Sequence, residues 1–113
     1  MTAYSDMLRL STKLLQVTDG IVAHWCPACE KHHQIWVGRP QDWTFDGNVD
    51  APTFSPSVKV TYNGKDADQI WPGERRAPSA CCHYFIRAGQ IEFCGDSTHE
   101  LAGQTVPLPD LPD

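Results

Sequence analysis

The chain has 113 residues, enough for one domain with a modest hydrophobic core. Nine Lys and Arg against fourteen Asp and Glu give a net charge of −5, and because clamping a phosphate backbone needs clustered cations, nucleic acid is a disfavoured partner. The sequence has no apolar run long enough to span a membrane, and its N-terminal segment lacks the pattern of a secretory signal, so we expect a protein of the cytoplasm, namely that of a host cell.

The first part of the chain predicts short strands joined by tight turns. Residues 4–16 fit either a helical face or a strand. Asp19-Gly20 predicts a hairpin that pairs residues 14–18 with residues 21–25, because both turn positions accept positive φ. Residues 33–38 predict the return strand of a second hairpin, whose tip carries the sequence CPAC, and residues 43–46 predict another short strand.

Prolines and polar residues shape the middle of the chain. Pro52 and Pro56 exclude a central strand before Ser57, because proline cannot donate a hydrogen bond to a ladder. Residues 57–62 alternate apolar and polar, as a half-buried strand does. Residues 63–79 are polar and contain several Gly and Pro residues, so they predict a long surface loop.

The last part of the chain predicts a hairpin, a turn of helix and a tail. Residues 81–87 and 90–94 flank Ala88-Gly89, which is a second strong hairpin signal. Ser97 to Glu100 have the spacing of a capping box and Gly103 is a stop signal, which predicts one short helical turn. Residues 104–113 predict an extended tail.

The cysteines indicate a metal site. An odd count of five cysteines, without an export signal, disfavours a disulfide framework. Cys26 and Cys29 at a hairpin tip can place both thiolates on one zinc ion, and the other ligands must come from distant parts of the chain. The lead set is Cys26, Cys29, Cys82 and His83, with His33 as the first substitute. Buried, inert cysteines and a redox CxxC are the alternatives, and the strand-like flanks disfavour the redox motif.

These elements together predict a mainly β domain over residues 1–113, with a small α+β fold as the variant left open. We expect antiparallel hairpins around a zinc-ribbon-like site, with zinc as the cofactor and a single helical turn near Ser97 to Gly103.

Three side chains are candidates for catalysis. Ser57, His99 and Asp96 are the residue types of a nucleophile, a base and an orienting acid. The sequence contains no HExxH, no GxSxG and no phosphate-binding glycine loop to support them. Each also has a structural alternative, since Ser57 can cap a turn, Asp96 can cap a helix and His99 can hydrogen-bond a strand end. A zinc ion with an open coordination position is the metal-dependent alternative.

Four stretches of sequence carry a family resemblance. They are, in order, CPACEKHH, PTFSPSV, CHYFIRAGQIEF and DSTHELAGQTVPLP. Over residues 21–108 the chain resembles a family of small phage and prophage proteins of unknown function that are often labelled "ammonia monooxygenase". That label does not suit this chain, because ammonia monooxygenase is a membrane-bound copper enzyme and this sequence predicts no membrane span.

The resemblance implies a link to protein conjugation. Relatives of the family occur beside bacterial ubiquitin-like conjugation genes, which implies a role in processing or recognising such conjugates. Glu30 departs from the family, which often has glycine there, so a slightly different turn is expected, with ligation retained. The family-type positions are Cys26, Cys29, His33, Pro52, Ser55, Pro56, Ser57, Cys82, His83, Gly89, Asp96, Thr98 and His99.

Two functions from different classes follow. The leading hypothesis is a phage-type, zinc-binding module that binds a host protein, as in counter-defence, because the chain is small, acidic and rich in Trp and has no diagnostic catalytic motif. The alternative is a zinc-dependent or serine-type hydrolase, a peptidase or isopeptidase that acts on ubiquitin-like conjugates. The sequence leaves open whether the protein is an enzyme, and both hypotheses imply a protein partner, from the host or from a ubiquitin-like system.

Overall fold

The computed structural model describes residues 7–61 and 81–112, and these residues form strands and turns. The loop predicted over residues 63–79 lies outside the described residues. The strands are β1 (Leu8–Arg9), β2 (Leu15–Thr18), β3 (Ile21–Cys26), β4 (Lys31–Trp36), β5 (Thr44–Phe45), β6 (Phe54–Thr61), β7 (Cys81–Arg87), β8 (Gln90–Phe93) and β9 (Thr105–Pro107).

The strands form two antiparallel sheets. The first sheet has the order β1-β2-β3-β4 and the second has the order β5-β6-β7-β8-β9. The prediction of a mainly β fold is therefore confirmed. Among the residues that the structure describes, no helix is long and apolar enough to cross a membrane.

The predicted hairpins are present in both sheets. Gly20 in the β2–β3 turn has a φ of 78°, and Ala88 and Gly89 in the β7–β8 turn have φ values of 49° and 77°. These left-handed conformations match the right-handed twist of paired strands. Strands β3 and β4 pair without interruption from Ile21 opposite Trp36 to Cys26 opposite Lys31, which places the CPAC turn at the hairpin tip.

Strand β6 corrects the prediction that proline excludes a central strand before Ser57. The strand begins at Phe54 and lies between β5 and β7. Its register against β7 moves from Phe54 opposite Ile86 to Val58 opposite Tyr84, so β6 uses two more residues than its partner over this step. A bulge of this kind accommodates Pro56, because residues in it do not have to donate to the ladder.

Residues of both sheets share one main core. Phe54, Tyr84, Ile86 and Ile91 of the second sheet are almost fully buried. The main cluster of buried residues consists of Leu14, Val22, Cys26, Ala28, Cys29, Ile35, Phe54, Val58, Cys82, Tyr84, Ile86, Ile91, Phe93 and Leu108.

The C-terminal segment crosses from one sheet to the other. Strand β9 pairs with β8, and Leu108 enters the main core. Leu111 then packs with Leu15 and Ala23 in a smaller cluster, and its N–H donates to the carbonyl of Thr12 at 2.8 Å. The segment predicted as an extended tail therefore contains a strand and two buried leucines.

Residues 98–99 form a bend and residues 100–103 a turn, and the predicted helical turn is not present. The physical reason is that Ser97, one of the residues expected to cap the helix, makes its hydrogen bonds elsewhere. The hydroxyl of Ser97 lies 3.0 Å from both the N–H and the carbonyl oxygen of His83, so this side chain serves strand β7 instead of a helix start.

Phe54→Ala should reduce the free energy of unfolding by about 3–5 kcal/mol, because it removes a buried aromatic ring from the core. Phe54 is 2% exposed and stacks on Phe45 with 4.9 Å between ring centroids. Leu8→Ala is the control, since Leu8 is 61% exposed and its loss should change stability by about 0.5 kcal/mol or less. Urea unfolding followed by Trp fluorescence measures both, and equal effects would contradict the described core.

Candidate active site and metal centre

Strand β7 contributes to two sites on its opposite faces. Successive side chains of a strand point to opposite sides of the sheet. Cys82 is fully buried and points into the core between the sheets, whereas the His83 side chain is 24% exposed on the outer face. Two neighbouring residues thus belong to two different groups of polar side chains.

The inner group is a cluster of metal-ligand residues. Cys26, Cys29, His33 and Cys82 are all buried, and one ligand atom of each lies within 4.8 Å of the others. The sulfur atoms of Cys26 and Cys82 are 3.8 Å apart, and none of the five cysteines, all of which the structure describes, is in a disulfide. Three of these residues come from the β3–β4 hairpin and one from β7, so a bound metal ion would join the two sheets. The cluster can hold a metal ion.

The turn between β3 and β4 brings the first two thiols together. The N–H of Glu30 donates to the carbonyl of Cys26 at 2.9 Å, and the N–H of Cys29 donates to the Cys26 sulfur at 3.4 Å. Glu30 has a φ of 56°, in the left-handed region that glycine occupies without penalty. Glu30, which stands where the family often has glycine, therefore adopts a backbone conformation typical of glycine, and the two thiols still converge.

The electrostatics of the thiols favour a bound cation. Hydrogen bonding with Cys26 lowers the pKa of Cys29, whereas burial raises the pKa of Cys26 to about 12. Hydrogen bonds to Cys26 and Cys29 also raise the pKa of Cys82. The protein alone thus favours one thiolate, because several adjacent buried negative charges repel one another. A metal cation removes that restriction, since thiols that bind a metal are deprotonated.

A buried hydrogen-bond chain orients His33. Nδ1 of His33 is 2.9 Å from the hydroxyl oxygen of Tyr84, and this oxygen is 2.6 Å from Nε2 of His24. With Nδ1 engaged by Tyr84, Nε2 is the nitrogen that would bind a metal, and such outer partners fix the orientation of a ligand ring. Burial, and then the nearby His33, lowers the pKa of His24 to about 3, so this imidazole is neutral.

The outer group contains a serine, a histidine and an aspartate that are joined by hydrogen bonds, with the histidine in the middle. Oγ of Ser57 is 3.0 Å from Nε2 of His83. The carboxylate oxygens of Asp96 are 3.0 and 3.1 Å from Nδ1 of the same ring. In the tautomer with its proton on Nδ1, His83 donates to Asp96 and accepts from the Ser57 hydroxyl. This is the arrangement of a nucleophile, a general base and an orienting carboxylate.

Two irregular features of the second sheet bring these three side chains together. Ser57 lies within the bulge of β6, between the paired residues Phe54 and Val58, and bulges commonly re-aim a side chain next to a site. The loop after β8 attaches to the backbone of β7, where the N–H of Cys94 donates to the carbonyl of His83 at 2.8 Å. The hydrogen bond from His83 lowers the pKa of Asp96, so this carboxyl stays ionised at neutral pH.

In the buried cluster, His33 stands in the position that the lead prediction gave to His83. His83, expected in the lead metal set, lies outside the thiol cluster because it points to the other face of β7 from Cys82. His33, the first substitute, occupies the fourth position of the cluster. Strand alternation was the signal in the sequence that could have separated Cys82 from His83.

His99, the predicted base, lies beside the thiol cluster. Its Nε2 is 3.3 Å from the sulfur of Cys82, and its ring meets Phe93 edge-on with 4.6 Å between centroids. Burial lowers its pKa. The structure therefore brings Ser57 and Asp96 together, as expected, but around His83 instead of His99, because the 97–103 turns direct His99 toward the core.

His33→Ala should abolish stoichiometric metal binding, whereas His83→Ala should retain it, because only the first removes a ligand of the buried cluster. Elemental analysis of the purified variants measures the metal content per chain.

The adjacent cysteines of β7 give a second matched pair for the same measurement. Cys82→Ser should lose the metal, while Cys81→Ser should keep it, since Cys81 is not a member of the buried cluster. Metal retained in both His33→Ala and Cys82→Ser would contradict the ligand set.

Comparison with known proteins adds the family. A family model described as bacterial ubiquitination-like system serine protease (BubE) matches residues 3–94. No curated protein and no solved structure matches the chain. The match includes Ser57 and His83 and ends two residues before Asp96. Because the match spans most of the sequence, the chain belongs to the BubE family.

Proposed function

We propose that the protein is a serine-type hydrolase in which Ser57 is the nucleophile, His83 the general base and Asp96 the orienting carboxylate. The observation that carries the proposal is the continuous hydrogen-bond sequence from the Ser57 hydroxyl through both nitrogens of His83 to Asp96. Membership of a family described as serine proteases supports the same chemistry.

The geometry suits a two-step acyl transfer. As Ser57 Oγ attacks the carbonyl carbon of the substrate, Nε2 of His83 takes the hydroxyl proton, and Asp96 stabilises the imidazolium that forms. His83 then gives the proton to the leaving amine, which leaves an acyl group on Ser57. A water molecule, activated by the same nitrogen, hydrolyses this ester and restores the serine.

The surface around the serine suits a protein substrate. His83, Phe85 and Arg87 alternate along the outer face of β7, and the guanidinium of Arg87 lies 4.2 Å from the centroid of the Phe85 ring. Lys59 lies opposite His83 on β6. Strand β7 is central in its sheet, so a substrate peptide would contact these side chains and not the backbone of β7. We infer that the substrate is the C-terminal tail of a ubiquitin-like protein, cleaved from an extension or from a conjugate.

We assign a structural role to the buried cluster, with zinc as its ion. Sulfur and imidazole donors without carboxylates suit zinc, and four protein ligands complete its tetrahedron without a water molecule. At zinc–sulfur bonds of about 2.3 Å, two thiolates of a tetrahedral site are about 3.8 Å apart. The sulfur atoms of Cys26 and Cys82 have that separation, 3.8 Å. We therefore favour the serine-type hydrolase over a zinc-dependent one.

The hypothesis of a phage-type module that binds a host protein rests on the small size, the acidity and the Trp content of the chain and on the lack of a diagnostic catalytic motif. The Ser57–His83–Asp96 arrangement removes the last of these reasons, so we put hydrolysis first. The phage origin, the counter-defence role, the protein partner and the cytoplasmic location stay predictions.

Ser57→Ala and His83→Ala should each reduce hydrolysis at least ~100-fold, because each removes a group needed to form the acyl-enzyme. The substrate is a ubiquitin-like domain with a short C-terminal extension, and mass spectrometry measures its cleavage. A fluorophosphonate probe should label the unmodified protein but not Ser57→Ala.

Ser55→Ala and His99→Ala are the matched controls. Ser55 is an exposed serine of the same strand, and His99 lies beside the thiol cluster. Both variants should keep the probe reaction. Hydrolysis that survives in Ser57→Ala, or that depends on His99 while His83→Ala remains active, would overturn the assignment.

A further inference from the structure

Cys94 lies next to the proposed catalytic residues His83 and Asp96 and has no part of its own in the proposed hydrolysis. The sulfur of Cys94, a nitrogen of His83 and a carboxylate oxygen of Asp96 lie within 4.8 Å of one another. Asp96 is exposed, and Cys94 and His83 are partly exposed. We propose that these three residues form a second metal site, which takes Zn²⁺ or a similar thiophilic divalent cation and reversibly inhibits the enzyme. This inference deepens the proposed function and rests on it.

The donor set selects the class of metal. A thiolate, an imidazole and a carboxylate together suit zinc, whereas magnesium and calcium prefer oxygen donors alone. Neighbouring ligand atoms of a tetrahedral zinc are about 3.3–3.8 Å apart, given bond lengths of about 2.0–2.3 Å. Small rotations of the three side chains would therefore bring their ligand atoms to bonding distance of one ion.

The backbone holds the three donors in place before any ion binds. The N–H of Cys94 donates to the carbonyl of His83 at 2.8 Å, and the N–H of Ser97 donates to the carbonyl of Cys94 at 3.2 Å. The Ser97 hydroxyl, which contacts the N–H and carbonyl of His83, closes the loop on the other side of Asp96. The site therefore needs no rearrangement of the main chain.

A metal ion bound at this site would change which ring nitrogen of His83 carries the proton. The working tautomer carries its proton on Nδ1, which lies 3.0 Å from Asp96. An ion bound to Nδ1 takes the place of that proton, so a neutral imidazole then carries its proton on Nε2. Nε2 lies 3.0 Å from Ser57 Oγ and would donate to it instead of accepting from it. The base is blocked, and the thiol of Cys94 releases one proton to solvent.

The two metal sites differ in accessibility and in ligand number. The buried cluster has four protein ligands and no exposed member, whereas this group has three and is open to solvent. A fourth position filled by water makes the outer ion the weaker one, because fewer protein donors hold it. Zinc should thus exchange at the outer site while the inner ion stays bound.

The test adds ZnCl₂ to the protein that already holds its inner metal, and measures cleavage of the extended ubiquitin-like substrate. We expect at least tenfold inhibition of the unmodified protein at saturating zinc. Cys94→Ser should keep the basal activity and require at least tenfold more zinc. Cys81→Ser is the matched control and should be inhibited like the unmodified protein, because Cys81 is not in the cluster.

A binding measurement separates this inference from the proposed function. Cd²⁺ added to the same metal-loaded protein should give ultraviolet thiolate-to-metal absorption for one further site, and Cys94→Ser should lose that signal. An active enzyme with the same zinc response in Cys94→Ser would overturn the inference and leave the hydrolase intact. A protein without hydrolytic activity would refute the proposed function. Cd²⁺ absorption would then support the site if Cys94→Ser abolishes it and overturn the site if Cys94→Ser retains it.

Discussion

Cys26, Cys29 and His33 of the first sheet's β3–β4 hairpin meet Cys82 of the second sheet in one buried cluster. A small β domain gains limited stability from its core alone, and a metal ion bound by this cluster would fix the relative position of the two sheets. Because Cys82 faces the cluster, the alternation of strand β7 points His83 outward toward Ser57. The inner cluster therefore also decides where the proposed catalytic base stands.

The outer site depends on departures from regular strand geometry. A regular β6 would have no extra residues opposite β7, whereas the observed strand changes register between Phe54 and Val58, and Ser57 lies within that bulge. The loop from Cys94 to Ser97 follows the edge of β7 and carries Asp96 to the far nitrogen of His83. Such irregular elements on a rigid sheet are common places for reactive groups, because the regular ladder around them keeps their geometry fixed.

The sequence predicted the strands and hairpins well, because alternation and turn residues such as Asp19-Gly20 are local signals. It also put Ser57 with Asp96, and Cys26 and Cys29 with Cys82, into two candidate groups, and the geometry brings the members of each group close together. The roles of the histidines could not be predicted, since they depend on which face of β7 meets the first sheet. The position of His99 depends on Ser97, whose hydroxyl binds β7 instead of starting a helix. Long-range contacts decided both outcomes.

The alternation along β7 also limits how such a chain can change in evolution. A length change within β7 that shifts Cys82 and His83 by one residue against the neighbouring strands would turn the thiol outward and the imidazole inward, so that a single event would remove both sites. A change of two residues would preserve the facing of both side chains. Even that change would break hydrogen bonds, because the hydroxyl of Ser97 contacts the N–H and carbonyl of His83. The hydroxyl of Thr98 contacts the same two groups of Cys81. Length variation among related chains should therefore avoid this strand and accumulate in segments that bear neither site.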